Sequence, residues 1–103
     1  MRMFENFEQM LVAGKDTPLL RFSLGNAYLQ VGDHIRAITH LTEALAKDQS
    51  YSAAWKLLGK AYSAAGDDVS AIKAYSQGIT AATLKGDKQA AREMVVFLRR
   101  LQN

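Results

Sequence analysis

The ionisable side chains that could bind a metal or transfer protons are placed unfavourably for either chemistry. His34 and His40 are six residues apart, which turns them about 240° from each other on a helix, so they cannot share one metal ion. Asp67-Asp68 and Asp87 follow glycines, where a carboxylate can cap a helix and complement its dipole. We expect surface histidines, capping aspartates and no metal site.

Catalytic motifs are also missing from the sequence. The chain has no cysteine, which excludes thiolate catalysis, disulfides and zinc-thiolate sites. It contains no GxxxxGK[ST], HExxH, GxSxG or GxGxxG, the motifs of phosphate loops, zinc proteases, nucleophile elbows and dinucleotide sites. The sequence therefore predicts a protein that is not an enzyme and needs no cofactor.

Basic side chains could bind an acidic partner. Lys56 and Lys60 are four residues apart on one helix face, where they either attract an acidic group or form an ordinary solvated surface. A second basic cluster comprises Lys85, Lys88, Arg92, Arg99 and Arg100. Cations late in a helix also complement its dipole, and no aromatic platform accompanies these. With a net charge of only +3, a nucleic-acid partner is not expected.

These side chains must be positioned by helices, because glycine and aspartate divide the chain into helix-length segments. Gly32-Asp33, Gly66-Asp67 and Gly86-Asp87 combine a residue that ends helices with one that starts them. Thr17-Pro18 is a further helix start, and Ser50 is the expected cap of the helix after it. The predicted helices span about residues 3–13, 17–31, 34–47, 51–65, 68–84 and 87–101.

An internal repeat links two pairs of these helices. Trp55, Leu58, Gly59 and Tyr62 have the spacing W-x2-L-G-x2-Y, and the same spacing with arginine in the first place occurs 34 residues earlier, at Arg21, Leu24, Gly25 and Tyr28. Period and pattern resemble those of the tetratricopeptide repeat family. The resemblance implies an all-α, right-handed superhelix of about six antiparallel helices, in which each repeat is an A helix followed by a B helix.

The repeat divides one domain, residues 1–103, into four parts. They are an N-terminal half-repeat (1–16), a first repeat (18–51), a second repeat (52–85) and a capping helix (86–103). Phe7 and Leu11 lie 34 residues before Leu41 and Leu45, so the first helix is expected to pack as a B helix.

The motif residues are expected to be structural. Glycine inside a helix costs about 1 kcal/mol relative to alanine, so Gly25 and Gly59 are expected where the B helix approaches closely, facing Ala37 and Ala71. Trp55 is expected to pack between A helices.

The resemblance further implies a non-catalytic adaptor or scaffold that binds a peptide or protein segment on the concave surface of its A helices. The family's contact positions correspond here to Leu19, Phe22, Asn26, Leu29, Ala53, Lys56, Lys60 and Ser63, and, if the 34-residue register continues, to Ala90, Met94 and Phe97. The chaperone-tail subtype of the family is matched only at Asn26, so that activity is not expected.

Self-association is the alternative function. The terminal helices carry apolar residues beyond one packed face, including Phe4 and Met10 at one end and Val96 and Leu101 at the other, and either end could form a homodimer. No apolar run reaches the roughly 20 residues of a membrane span. A cytoplasmic location without membrane insertion is the expectation.

Overall fold

Six helices and no strand make up residues 2–103, the part of the chain described by the computed structural model, with side chains described from Phe4 onward. The helices are α1 (Arg2–Val12), α2 (Pro18–Gln30), α3 (His34–Lys47), α4 (Ser52–Ala64), α5 (Asp68–Leu84) and α6 (Lys88–Gln102). Each bound lies within one residue of its prediction. The all-α fold is confirmed.

The helix ends follow from side chains three residues or fewer away. Thr17 accepts a hydrogen bond from the Leu20 N–H, with Pro18 in the first turn, and Asp33, Asp67 and Asp87 accept in the same way. The predicted cap at Ser50 is wrong. Its hydroxyl donates to Asp48 at 2.6 Å, and Tyr51 occupies the capping position without a side-chain bond.

Sequential helices pack against each other along the whole chain. α2 packs on α3, α4 on α5 and α5 on α6, while α3 and α4 join the two repeats. The A helices α2 and α6 both contact α4. Leu24, Leu41 and Met94 are fully buried, and Trp55 and Tyr62 pack against both parts of the core.

The helical glycines allow the closest approaches, although their partners differ from the prediction. A Cβ at Gly25 would lie 2.5 Å from Cγ of Leu41, and one at Gly59 would lie 2.6 Å from Cδ1 of Tyr75. Ala37 and Ala71 are fully buried but are not the atoms nearest these glycines. The large B-helix side chain, not a facing alanine, therefore fills the space that glycine leaves.

The 34-residue register ends before α6. Thr17 and Tyr51 cap α2 and α4 34 residues apart, whereas Asp87, which caps α6, follows Tyr51 by 36. Ala54 and Ala90 are correspondingly buried at equivalent places. α5 has 17 residues where α3 has 14, and the added length shifts the start of α6.

Candidate interaction surface

The three A helices, α2, α4 and α6, form one continuous surface, here called the A-helix face. On α2, Leu19 is 64% exposed, while Phe22, Asn26 and Leu29 are half-buried. The Phe22 ring stacks on the ring of Tyr51, with 5.1 Å between centroids. Leu19 is therefore the main apolar side chain that α2 presents to solvent.

Lys56 on α4 is already paired within the chain. Its Nζ donates to Oε1 of Glu93 on α6 at 2.9 Å. The predicted basic pair of Lys56 and Lys60 is thus reduced to Lys60, which is exposed and lies over the ring of Phe97, 5.2 Å from its centroid. Ala53 and Ser63, the other α4 candidates, are half-buried.

The predicted positions on α6 were transferred in the wrong register. Ala90 and Met94 are buried, so they fill the interior and have no surface for a ligand, whereas Phe97 is half-buried. With the observed offset of 36 residues, the places equivalent to Lys56, Lys60 and Ser63 are Arg92, Val96 and Arg99, which are all exposed. The unequal lengths predicted for the two B helices already signalled this offset.

A second concavity lies on the opposite side, between the B helices α3 and α5. This groove of about 890 Å³ contains Trp55 on its surface, with Leu45 and Leu84 at its sides. Trp55 Nε1 donates to the carbonyl of Gln49 at 2.8 Å. The prediction that Trp55 packs between A helices is therefore wrong, because its indole ring points to the B-helix side.

A polar network connects α1 and α2 to α3 at the corresponding place of the first repeat. Arg21, the counterpart of Trp55, forms a two-point contact with Asp16 at 2.7 and 2.9 Å. Hydrogen bonding from Arg21 lowers the pKa of Asp16 to about 2. Lys47 also lies 3.5 Å from Asp16. The second repeat has no such network around Trp55, and its groove stays open.

His40 belongs to this network, so the expectation of a surface histidine is wrong for it. The ring is buried, with Nδ1 at 3.2 Å from the Arg21 guanidinium and Nε2 at 3.5 Å from Glu8. Because a guanidinium can only donate, Nδ1 accepts and the ring proton lies on Nε2, facing Glu8. Burial lowers the pKa of His40. The position of an A-helix arginine beside it could not be read from local spacing.

Residues 2–103 contain no group of three or more histidine, aspartate or glutamate side chains arranged to hold a metal ion. Over the same residues, no helix combines the length and apolar character that crossing a membrane requires. Helix pairs stacked in series, with repeated glycine contacts, define the class as an all-α helical repeat protein.

Comparisons with known proteins identify the family. The tetratricopeptide repeat profile matches residues 28–92. A TPR repeat-containing protein of Pseudomonas aeruginosa is 54% identical over 99 residues, covering 96% of this chain and 94% of that protein. The chain belongs to the tetratricopeptide repeat family, which confirms the resemblance seen in the sequence.

Solved structures agree with this assignment. A solution structure of a Bordetella parapertussis protein is 44% identical, with a TM-score of 0.85 over 97% of this chain and 87% of that one. A tetratricopeptide repeat domain protein of Salinibacter ruber is 26% identical, with a TM-score of 0.76 over 82% of this chain and 94% of that one. The fold is that of a protein–protein interaction module, and such modules are generally not catalytic.

Proposed function

We propose that this protein binds a peptide or protein segment on the A-helix face as an adaptor. The observation that carries the proposal is the joining of α2, α4 and α6 into one surface on which apolar and unpaired basic side chains are neighbours. Leu19 lies at one side of this surface, and Lys60 and Arg92 lie toward the other. Neither cation forms an ion pair among the described side chains.

Charge is divided unevenly between the two halves of the chain. Residues 52–103 carry eight basic and four acidic side chains, a formal charge of +4, while residues 1–51 carry five basic and six acidic ones, a formal charge of −1. Such a field favours association with a segment whose acidic part lies over α4 and α6. Its apolar part would then contact α2.

Site-specific photo-crosslinking tests which face is used. Two exposed leucines provide a matched pair: Leu19 on the A-helix face, 64% exposed, and Leu84 beside the B-helix groove, 83% exposed. A photoreactive phenylalanine analogue at each position, in cells of the native host, should capture a partner from position 19. Capture from position 84 alone would place the partner in the B-helix groove and reject the proposal.

A charge reversal at Lys60 provides the second measurement. Lys60→Glu should weaken binding of the captured partner and leave the fold intact, because Lys60 is exposed. Lys56 is unsuitable for this purpose, since a glutamate there would face Glu93 and lose the observed interhelical pair. Unchanged affinity in Lys60→Glu, together with no capture from position 19, would exclude the A-helix face.

Self-association has weaker support than the apolar content of the terminal helices suggested. Phe4 stacks on Tyr28 at 4.6 Å between centroids, and Phe7 is half-buried. Val12, 88% exposed, is the most exposed large apolar residue of α1. Light scattering over a range of concentrations separates the two functions, because a peptide-binding monomer keeps one mass.

A further inference from the structure

A small pocket lies where the carboxyl ends of α4 and α6 come together beside α5. It measures about 210 Å³ and is lined by Ser63, Tyr75, Phe97, Arg100 and Leu101. That volume is about seven times the roughly 30 Å³ that one water molecule occupies in the liquid, enough for a single side chain. Ser63 places the pocket at the border of the A-helix face.

Two cations meet at one aromatic ring in this pocket. Lys60 Nζ lies 5.2 Å and Arg100 Cζ lies 5.8 Å from the centroid of the Phe97 ring, so the two charges are at most 11 Å apart. Neither forms an ion pair among the described side chains. Their mutual repulsion is relieved only partly by the ring, and an anion between them would relieve it further.

The contrast with Lys56 shows that this positive charge is local. One turn earlier on α4, Lys56 is matched by Glu93 across the same pair of helices. The unmatched charge therefore begins at Lys60 and continues to Arg100. An acidic group of a partner is best placed at this end of the A-helix face, not in its middle as the sequence predicted.

The walls restrict the kind of anion. Phe97 and Tyr75, whose rings are 5.7 Å apart, and Leu101 provide apolar surface beside the cations. Helix carboxyl ends present carbonyl oxygens, so the pocket offers no cluster of backbone N–H groups of the kind that captures a chain terminus. A carboxylate on a side chain with an apolar neighbour satisfies both features.

We infer that this pocket binds an aspartate or glutamate side chain of a partner segment, with an apolar partner residue against Phe97 and Leu101. Lys60 and Arg100 supply the charge, and the Ser63 hydroxyl lies at the rim as a further donor. The inference rests on the proposed function, since it specifies the partner chemistry at one end of the A-helix face. It shares no residue with the five chaperone-tail positions, Phe22, Asn26, Leu57, Asp87 and Ala91.

Capped model peptides test the inference on the full chain. The probe is an alanine-based peptide with a central Leu-Glu pair and both termini blocked, compared with its Leu-Gln counterpart. In nuclear magnetic resonance titrations at about 10 mM salt, where screening is weak, the Leu-Glu peptide should shift the backbone signals of Ser63, Phe97 and Arg100. The Leu-Gln peptide should leave them unchanged. Equal shifts with both peptides would overturn the inference.

Neutral variants measure the charge contribution. Arg100→Gln and Lys60→Gln should each weaken Leu-Glu binding about five- to tenfold, between the values typical of exposed and buried charged contacts. Lys73→Gln is the matched control: it removes the same charge from α5, two residues and so about 200° away from Tyr75, and should change affinity less than about twofold. Equal losses in all three variants would indicate general attraction and overturn the pocket.

Two further probes identify competing ligands. A Leu-Gln peptide with a free carboxyl terminus that binds as tightly as the Leu-Glu peptide would reassign the pocket to chain ends. A single-stranded oligonucleotide that shifts the same signals more strongly would reassign it to nucleic acid. A partner that crosslinks at position 19 but ignores Arg100→Gln would remove the pocket and leave the proposed function standing.

Discussion

Replacing Gly59 with alanine tests the tightest helix contact in the second repeat. A Cβ at this position would lie 2.6 Å from Cδ1 and Cζ of Tyr75, so the ring must retreat by at least about 0.8 Å to restore an ordinary contact of 3.4 Å. Tyr75 is only 3% exposed and has Phe97 beside it. The ring therefore has little room to move.

Two opposing effects determine the size of the change. Alanine stabilises a helix interior by about 1 kcal/mol relative to glycine, while overpacking in a dense core costs about 1 to 3 kcal/mol. We expect a net destabilisation of about 1 to 2 kcal/mol, because the obstacle is a buried ring and not the end of a flexible chain. In a domain of this size the melting temperature should fall by about 4 to 16 °C.

Thermal and urea unfolding followed by circular dichroism measure the effect, and Tyr75→Leu provides the decisive control. Since leucine removes the ring, Gly59→Ala should be less harmful, or stabilising, in the Tyr75→Leu background. The coupling energy between the two sites should reach about 1 kcal/mol. If Gly59→Ala alone raises the melting temperature, helix propensity dominates and the close approach does not constrain this glycine.

Three other changes have expected outcomes. Gly78→Ala should lower the melting temperature, because its Cβ would lie 2.6 Å from Cβ of Trp55, an atom held by the α4 backbone; a melt unchanged within error would refute this. Deleting residues 1–13 should cause aggregation or a lower melting temperature by uncovering α2, whereas a monomer with the original melt would show that α1 is dispensable. The folded pKa of His40 is lowered by burial below its ordinary 6.5, so the unfolded chain binds the proton more tightly and stability should fall as pH drops below about 6.5. Urea midpoints between about pH 7.5 and 5.5 should show this dependence, which His40→Gln should remove and the control His34→Gln should keep.

Predictions of structure from local spacing were the most successful. Every helix was located within one residue, because capping by Thr17 or Asp33 involves residues only three positions apart. The repeat family followed from residues within one helix turn of each other. Ser50 shows where this reasoning fails: it competes for Asp48, a nearby partner that the capping pattern does not include.

The candidate surface was predicted less well, since its properties depend on residues far apart in sequence. Lys56 and Glu93 are 37 residues apart, and no spacing rule identifies them as partners. The prediction of Met94 as a ligand contact assumed a constant repeat length, which the longer α5 changes. The binding roles of Leu19, Phe22, Asn26, Leu29, Ala53, Lys60, Ser63 and Phe97 stay predictions.

The sequence by itself determined six helices, their caps and the repeat, because hydrogen bonds within a turn and glycine at helix ends act over a few residues. Only the tertiary structure decided which charges are matched. Lys56 is paired, Lys60 and Arg100 share the Phe97 ring, and His40 is buried between Glu8 and Arg21. Helix packing brings these groups together across 19 to 40 residues of chain, and Coulomb interactions depend on that final separation.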